Sequence, residues 1–370
     1  MENIKELIKN KNRNEIIEIL NNKLNTNLIN EINIDKLDDI EFNNEVDNII
    51  YEIENPFVIN NSFDLEFMDL MNFLKKVSED DLVLNYLKKL EEIKNNNLNI
   101  YNSFVNYFTR FPLWGSLNIN LGDLTALKLR AEALKRHIYD YMWLYRRVND
   151  YLSKRTLYAI LLNWTILDFN LLDKVKSIFP DYYEPDIFID NKDDVFVDCG
   201  AYIGDSIANY INTYSHEYKR IYAYEISKET LEKLKLNIEK NKLHDVIIKP
   251  YGVGREEGSF YINENNDSSA NKLSKSGSYE VKVVKLDDDI KEDITFVKMD
   301  IEGAEYDALI GLENTIKNKM PKLAICIYHG YKDIYRIPIL INKMNKDYKF
   351  YIRHNGGNLI PTEFTLLCNK

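Results

Sequence analysis

From residue 195 to the carboxyl end, short runs of β-branched and aromatic residues alternate with longer segments of helical periodicity. The short runs predict strands, and they occupy residues 195–198, 221–225, 246–248, 294–300, 323–328, 350–353 and 364–368. Strands that alternate with helices are typical of βαβ units around a mostly parallel sheet. This half of the chain therefore predicts a doubly wound α/β domain. A further hairpin-like pair, at residues 259–262 and 279–284, flanks a polar loop at residues 263–277.

The preceding part of the chain lacks this alternation. Its apolar residues recur at helical spacings, as in Leu84, Leu87 and Leu90, which predicts amphipathic helices. The longest predicted helix covers residues 123–152, and Ser153 is predicted to cap the next one.

The length of the chain, 370 residues, is more than one ordinary hydrophobic core accommodates. We therefore expect an all-α domain at residues 1–180 and an α/β domain at residues 181–370. Hydrophobic residues make up 45% of the chain and charged residues 29%, which is the mixture of folded globular proteins.

The net charge of the chain is −11, and a field of this sign repels polyphosphates, so we expect no nucleic-acid partner. The first residues lack the apolar run of a signal peptide, and no stretch is apolar and long enough to span a bilayer. All three cysteines lie in predicted strands or directly after one, where they fill the core rather than form disulfides. These features together predict a cytoplasmic protein.

An acid and two glycines lie between the first predicted strand and the helix that follows it. In dinucleotide-binding turns a second glycine stands two positions after the first, but here that position is Tyr202, after Gly200. Its bulk disfavours NAD. S-adenosylmethionine carries no phosphate, and its amino-acid end could be held by Asp198 on the ammonium and by backbone N–H groups on the carboxylate. The residues of this turn predicted to bind the cofactor are Asp198, Gly200, Ala201, Tyr202, Gly204, Asp205 and Ser206.

A second acid, Glu225, ends the second predicted strand. At this position in a βαβ unit a carboxylate can accept hydrogen bonds from both ribose hydroxyls, although a solvated strand end is the alternative. Ile226 beside it is a predicted contact. Tyr251, after the third strand, could stack on adenine or pack as an ordinary aromatic residue.

Three segments of the sequence resemble the FkbM-type methyltransferases: FVDCGAYIGDS at residues 196–206, KLD at 285–287 and VKMDIEGAE at 297–305. The resemblance covers about residues 182–367. It implies a class I methyltransferase (Rossmann-like) sheet with an antiparallel seventh strand, S-adenosylmethionine as methyl donor, and O-methylation of a sugar or related hydroxylated metabolite. Tyr202 stands where many relatives have Asn. A helical extension of this length is also not part of the core family, so the acceptor stays open.

The third segment places an acid, Asp300, at the end of the fourth predicted strand. Ligands of open α/β sheets bind outside the carboxyl ends of the strands, so Asp300 should face the transferred methyl group. It could orient the acceptor, attract the sulfonium, or help to hold a divalent cation. Glu302 and Glu305 follow it, and their carboxylates could act in catalysis or stabilise the start of a helix.

His329 directly follows the fifth predicted strand and reaches the same edge of the sheet. An imidazole titrates near neutral pH and could take the proton from an acceptor hydroxyl. The alternative is a histidine that caps a helix. The predicted catalytic residues are Asp300, Glu302 and His329.

Neither cysteine nor histidine pairs show the spacing of metal ligands, so no metal site is predicted, although acid-bound Mg²⁺ stays possible. Arginines and aromatic residues crowd residues 130–155. They could bind a sugar or its nucleotide carrier, but core packing is the stronger interpretation. The helical domain could thus bind the acceptor or form a homo-oligomer. The competing functions are N-methylation of an amino sugar or an amino-acid appendage of a glycan, an NAD(P)-dependent enzyme, and a non-catalytic scaffold.

Overall fold

The computed structural model of the chain describes residues 4–25, 28–214, 217–262, 273–274 and 279–370. The chain divides into two compact units. A helical unit consists of Met1–Val175 with Asn358–Pro361, and an α/β unit consists of Lys176–Gly357 with Thr362–Lys370.

The described residues of the helical unit form α-helices joined by short turns. The α-helices are α1 (Ile4–Ile8), α2 (Arg13–Leu24), α3 (Leu28–Glu31), α4 (Asp39–Glu54), α5 (Ser62–Lys76), α6 (Glu79–Asn96), α7 (Leu98–Arg110), α8 (Thr125–Arg136), α9 (Ile138–Arg147), α10 (Tyr151–Ile166) and α11 (Asn170–Lys174). Short 3₁₀ helices cover Ile34–Lys36, Pro112–Trp114 and Ile119–Leu121.

Helix α6 shows how the sequence specifies these elements. Ser78 precedes the helix, and its hydroxyl accepts a hydrogen bond from the Asp81 N–H at 3.1 Å, which satisfies one of the free amides of the first turn. Leu82, Tyr86 and Leu90 recur every four residues and are buried. Burying a large apolar side chain of this kind stabilises the fold by about 1.5 to 3 kcal/mol.

The single helix predicted at residues 123–152 is wrong, because the segment forms the three helices α8, α9 and α10. The first break is at His137, whose φ of −124° and ψ of 31° are not helical. The Glu45 carboxylate accepts hydrogen bonds from the N–H groups of Tyr139 and Asp140, both at 2.9 Å. A buried carboxylate from α4 thus caps the start of α9.

The second break is at Val148, which is extended with φ −70° and ψ 146°. Helix α10 is capped by Asp150, whose side chain accepts a hydrogen bond from the Ser153 N–H at 2.8 Å. Ser153 is therefore inside the helix, and its predicted capping role is corrected.

The arginine- and tyrosine-rich stretch at residues 130–155 contributes mainly to the core. Arg130, Tyr141 and Tyr145 are at most 1% exposed. Arg155 pairs with the Glu66 carboxylate at 2.7 Å. The arginine and tyrosine side chains of this stretch therefore mainly make contacts within the protein.

The α/β unit contains the predicted sheet. Its strands are β1 (Val195–Cys199), β2 (Arg220–Tyr224), β3 (Val246–Lys249), β4 (Gly252–Val253), β5 (Gly258–Ile262), β6 (Leu273–Ser274), β7 (Tyr279–Val284), β8 (Phe296–Met299), β9 (Lys322–Cys326), β10 (Lys349–His354) and β11 (Phe364–Asn369). Its helices are α12 (Asp205–Thr213), α13 (Lys228–Lys240), α14 (Leu286–Asp289), α15 (Glu305–Ile310), α16 (Glu313–Lys319) and α17 (Asp333–Met344).

Seven of these strands form one sheet in the order β10-β11-β9-β8-β1-β2-β3. Strand β11 is antiparallel to both of its neighbours, and the other pairs are parallel. Each predicted run corresponds to one of these strands, so the α/β fold class and the antiparallel seventh strand are confirmed.

A second sheet contains β4, β7, β5 and β6. Strands β5 and β7 pair antiparallel, as the hairpin-like pattern predicts. The polar loop predicted between them, including residues 265–269, lies outside the described residues except for Leu273 and Ser274.

The register of the central strands positions the candidate site. Cys199 at the end of β1 is paired with Tyr224 of β2 and Met299 of β8. The residues that follow these strands therefore meet at one edge of the sheet, which is the ligand-binding edge of doubly wound folds.

Aromatic packing holds α12 against the sheet. Phe196 of β1 stacks on Tyr210 of α12 with ring centroids 4.7 Å apart, and Phe296 of β8 lies 5.2 Å from Phe196. The cysteines Cys199, Cys326 and Cys368 are buried and form no disulfide. Among the described helices, none has the length and apolar character needed to cross a membrane.

Candidate functional site

The turn after β1 depends on a close approach between two strand ends. Gly200 has a φ of 80°, and a Cβ at this position would lie 1.9 Å from the Asp300 carbonyl oxygen. The glycine is therefore required by the contact between the ends of β1 and β8.

The amides of this turn are largely used within the protein. The N–H groups of Gly200 and Ala201 donate to the Tyr224 carbonyl at 3.0 and 2.9 Å, and the Gly204 N–H donates to the Ala201 carbonyl at 2.8 Å. These amides do not reach a ligand carboxylate, contrary to expectation. The first-turn amides of α12, which have no partner within a helix, are the nearest alternative donors.

Asp198 lies beneath the turn and is completely buried. Its carboxylate is 3.1 Å from Lys298 Nζ and accepts a hydrogen bond from the Ser206 hydroxyl at 2.5 Å. Burial raises the pKa of Asp198, while Lys298 and Ser206 oppose this rise. Because the Asp198 carboxylate is completely buried behind these partners, a ligand ammonium could reach it only by displacing one of them, so Asp198 is positioned to hold the turn rather than to touch a ligand.

Lys298 is the partner that the sequence analysis missed. Its ammonium also donates to the Gly200 carbonyl at 2.8 Å. The side chain is 2% exposed, and a buried charge requires a close counter-charge. The sequence feature that could have identified Lys298 is the presence of a lysine within an otherwise apolar predicted strand.

Glu225 joins the turn after β1 to the turn after β2. One carboxylate oxygen accepts the Tyr202 N–H at 3.0 Å, and the other accepts the N–H groups of Ile226 and Ser227, both at 2.7 Å. Burial raises the pKa of Glu225, and the three amides oppose this rise. Because a carboxylate oxygen can accept two hydrogen bonds, the oxygen bound to Tyr202 keeps an acceptor position.

The other predicted cofactor residues differ in accessibility. Ala201 and Ser206 are buried, whereas Asp205 is exposed. The half-buried residues are Tyr202, Gly204, Ile226 and Tyr251. Tyr202 has a φ of 45°, and Lys282 Nζ lies 5.3 Å from the ring centroid of Tyr251. The structure brings Tyr202, Glu225 and Ile226 together directly, and no such contact links Tyr251 to them among the described residues.

Asp300 follows β8, as predicted, and both of its carboxylate oxygens have partners. One oxygen accepts a hydrogen bond from the Tyr182 hydroxyl at 2.7 Å, and the other lies 3.2 Å from His329 Nε2. Burial favours a higher pKa for Asp300, but His329, Lys298 and Tyr182 outweigh it and hold the pKa below its usual range. Asp300 is thus a carboxylate at neutral pH. Tyr182 lies before β1 and was not predicted.

His329 is 4% exposed and lies between two carboxylates. Its Nδ1 is 2.8 Å from Glu305 Oε1, in addition to the Nε2 contact with Asp300. Burial favours a lower pKa for His329, but Glu305 and Asp300 outweigh it and raise the pKa well above its usual value. The imidazole is therefore charged at neutral pH. The predicted role of His329 as a base is corrected, because a protonated ring cannot accept another proton.

Glu302 completes the predicted catalytic set. Its carboxylate is 3.8 Å from His329 Nε2, and its backbone φ is 57°. Ligand atoms of Asp300, Glu302 and His329 all lie within 4.8 Å of one another, a spacing that a cation could bridge. A metal ligand must be deprotonated, whereas the local charges favour the imidazolium, so the arrangement fits an ion-pair network better than a metal site.

A comparable cluster in the helical unit consists of Glu45, His137 and Asp140, also with ligand atoms within 4.8 Å. All three are buried, and His137 Nδ1 is 2.9 Å from Asp140 Oδ2. Because Glu45 caps α9 through both oxygens, we interpret this cluster as structural.

Tyr328 and Glu363 form one more contact near the network. The Tyr328 hydroxyl lies 3.1 and 3.2 Å from the two carboxylate oxygens of Glu363. The sequence analysis named neither residue as functional, since Glu363 lies outside any predicted motif.

Comparisons with known proteins identify a family that matches the α/β unit. Residues 198–355 match the family model described as the methyltransferase FkbM domain. The solved structure of a methyltransferase FkbM from Methylobacillus flagellatus KT is 24% identical, covers 73% of this chain and 71% of its own, and has a TM-score of 0.56. The family resemblance is thereby confirmed for residues 198–355, which match the FkbM methyltransferase domain, and the solved structure shows a similar fold.

More distant structures are also methyltransferases. An rRNA methylase from Streptococcus thermophilus is 15% identical, covers 49% of this chain and 89% of its own, and has a TM-score of 0.33. A SAM-dependent methyltransferase from Aquifex aeolicus is 10% identical, with coverages of 54% and 96% and a TM-score of 0.29. Neither similarity is high enough to carry an argument. No curated protein sequence matches this chain.

Proposed function

We propose that the FkbM methyltransferase domain of this chain transfers a methyl group from S-adenosylmethionine to a hydroxyl of a sugar, glycan or related hydroxylated metabolite. The observation that carries the proposal is the family match at residues 198–355, together with a carboxylate at the end of β2 that is tied to the turn after β1.

The donor site is proposed at the carboxyl ends of β1 and β2. Glu225 accepts one ribose hydroxyl through the oxygen that already binds Tyr202. The first turn of α12 receives the donor carboxylate. Asp198 and Lys298 fix the turn from below. In this arrangement Tyr202, Ile226 and Tyr251 flank the nucleoside.

The charged residues around Asp300 form what we call the catalytic mouth. Their charge supports both the proposed methyl donor and the proposed class of acceptor. Carboxyl groups outnumber cations among the described residues around Asp300, where the acids are Asp181, Asp300, Glu302, Glu305 and Glu363 and the cations are Lys176, Lys298 and His329. Such a field attracts the positive sulfonium and repels phosphate groups. The favoured acceptor is therefore an uncharged hydroxylated molecule rather than a nucleotide-diphosphate sugar.

An amine acceptor is the second candidate, because the same acidic field attracts an ammonium group. An amine, like a hydroxyl, would attack the methyl group in line with the carbon–sulfur bond.

The choice of cofactor is the same for both acceptors. NAD(P) is disfavoured by the side chain of Tyr202 at the position where dinucleotide turns require glycine.

In this proposal, the main catalytic contribution is the alignment of the acceptor with the methyl group. Methyl transfer is a displacement in line with the carbon–sulfur bond, and holding the nucleophile in that line can contribute about 7 to 11 kcal/mol. Asp300 is fixed by Tyr182 and His329, so it is suited to orient the acceptor next to the sulfonium. The helical unit is proposed to bind the acceptor or to mediate self-association.

The test is methyl transfer by the full chain from S-adenosylmethionine labelled in its methyl group. The acceptor panel contains neutral monosaccharides, amino sugars and nucleotide-diphosphate sugars. The proposal expects label in the neutral hydroxylated acceptors and its loss in Glu225→Gln but not in the surface control Glu232→Gln. Transfer only to nucleotide-diphosphate sugars would contradict the acceptor class. Transfer in Glu225→Gln at the wild-type rate would contradict the donor site.

A further inference from the structure

Glu363 is held rigidly at the edge of the catalytic mouth. It directly precedes β11 and has a φ of 52°, which is uncommon for a non-glycine residue. Its carbonyl accepts the Asn355 N–H at 2.9 Å, and the next carbonyl, that of Phe364, accepts the Ile327 N–H at 3.2 Å. The side chain is thus presented from a fixed backbone. The residue also lies beyond the segment that matches the family, residues 198–355.

The Glu363 carboxylate is connected to Asp300 through two aromatic rings. The Tyr328 hydroxyl donates to Glu363 at 3.1 Å. The ring of Tyr328 lies 4.3 Å from that of His329, whose Nε2 is 3.2 Å from Asp300. Glu363 is half-buried. It therefore borders the mouth while it remains partly accessible.

The surroundings of Glu363 favour its protonated form more than the surroundings of an exposed surface glutamate do. Burial raises the pKa of Glu363 to about 7, with further contributions from the charges of Asp300 and Asp181, while Tyr328 and His329 oppose the rise. A group that titrates near the working pH is the most effective general base.

Four other groups of the mouth are poorly suited to accept a proton. His329 is already protonated, and the pKa of Asp300 is held low by its partners. Burial raises the pKa of Tyr328 well above its usual value, so its hydroxyl stays a donor. Glu305 is 1% exposed and lies against His329.

We propose that Glu363 is the catalytic base that takes the proton from the acceptor hydroxyl. This inference rests on the proposed function. As the acceptor oxygen forms its bond to the methyl carbon, the carbon–sulfur bond breaks and its electron pair goes to sulfur, which gives the neutral thioether of S-adenosylhomocysteine. The hydroxyl proton moves to the Glu363 carboxylate and then to solvent. Tyr328 positions that carboxylate.

The first measurement needs no acceptor. Full-length protein with ¹³C-labelled glutamate carboxyl groups is titrated by NMR, for wild type, Glu363→Gln and the surface control Glu313→Gln. We expect the Glu363 resonance to have a midpoint near 7 in wild type and in Glu313→Gln, and this resonance to be absent in Glu363→Gln. An ordinary glutamate midpoint for Glu363 would overturn the proposal.

The second measurement is the rate of methyl transfer to the neutral monosaccharides against pH. Wild type should gain rate as the pH rises through 7, because only the carboxylate form accepts a proton. In Glu363→Gln, kcat should fall about 10²- to 10⁴-fold and should no longer rise as the pH passes through 7. The affinity of this variant for S-adenosylhomocysteine should stay at the wild-type value. The assignment would be overturned if the rate still rose through pH 7 in Glu363→Gln, or if this rise were lost in Asp181→Asn instead. Failure of the proposed function is distinguishable, since wild type would then not bind S-adenosylhomocysteine although Glu363 still titrates near 7.

Discussion

His329 Nδ1 lies 2.8 Å from Glu305 Oε1, in a position where both side chains are almost completely buried. A buried carboxylate at this distance stabilises the imidazolium form of the ring. The pair therefore makes His329 a fixed positive charge of the catalytic mouth rather than a group that exchanges protons during turnover.

We predict from this pairing that His329 stabilises the fold in a pH-dependent way. The pKa of His329 is raised in the folded protein, so its contribution is fully present below the pKa of the unfolded state and is lost as the pH rises through the folded value. His329→Gln should therefore lose stability relative to wild type at neutral pH, and the difference should shrink in alkaline solution. Urea unfolding of both proteins from about pH 6, near the usual histidine pKa of about 6.5, to about pH 10 measures this. A difference that grows with pH would contradict it.

A second prediction concerns Gly200. Gly200→Ala places a Cβ 1.9 Å from the Asp300 carbonyl oxygen, whereas Gly204→Ala places one 3.0 Å from the flexible end of Leu234. Both positions have a positive φ, so each substitution carries strain of about 1 to 3 kcal/mol. Only Gly200→Ala adds a backbone clash, and it should destabilise the α/β unit by more than about 4 kcal/mol. Hydrogen exchange of the β1 and β8 peptides compares the two, and equal effects would contradict the close-approach explanation.

The buried pair of Asp198 and Lys298 gives a third prediction. Removing one partner leaves the other as an uncompensated buried charge, which costs about 3 to 5 kcal/mol. Lys298→Met should therefore be strongly destabilising, and the double variant with Asp198→Asn should recover part of the loss. Free energies of unfolding from urea titrations of the two single variants and the double variant form the test. Additive losses would show that the two side chains do not interact.

Glu225 gives the fourth prediction. Glu225→Gln should weaken S-adenosylhomocysteine binding by about 1.5 to 3 kcal/mol, because an amide replaces an oxygen that accepts charged hydrogen bonds. Glu232→Gln on the exposed face of α13 should bind as wild type does. Calorimetry of both variants decides the matter, and equal affinities would remove Glu225 from the cofactor site.

The strands and the edge at which the site lies could be predicted because both follow from local patterns. Buried strands of a parallel sheet are short apolar runs, and the carboxyl ends of adjacent strands necessarily meet. Asp300, Glu225 and His329 were therefore placed at one edge from the sequence alone.

The partners of these residues could not be predicted, because they come from distant and irregular segments. Tyr182 reaches Asp300 across 118 positions of the chain, and Glu45 caps α9 from 94 positions away. The latter contact also explains why the break between α8 and α9 was missed, since the apolar periodicity continues through it. The role of Asp198 was misjudged for a similar reason, because its counter-charge Lys298 lies on another strand.

The central claim is that the turn after β1 and Glu225 bind S-adenosylmethionine rather than a dinucleotide. Calorimetric titration of the full chain with S-adenosylhomocysteine and, separately, with NADH tests it most directly. The account predicts saturable binding of one S-adenosylhomocysteine per chain and no saturable binding of NADH. Saturable binding of NADH, or no binding of S-adenosylhomocysteine by folded protein, would contradict it.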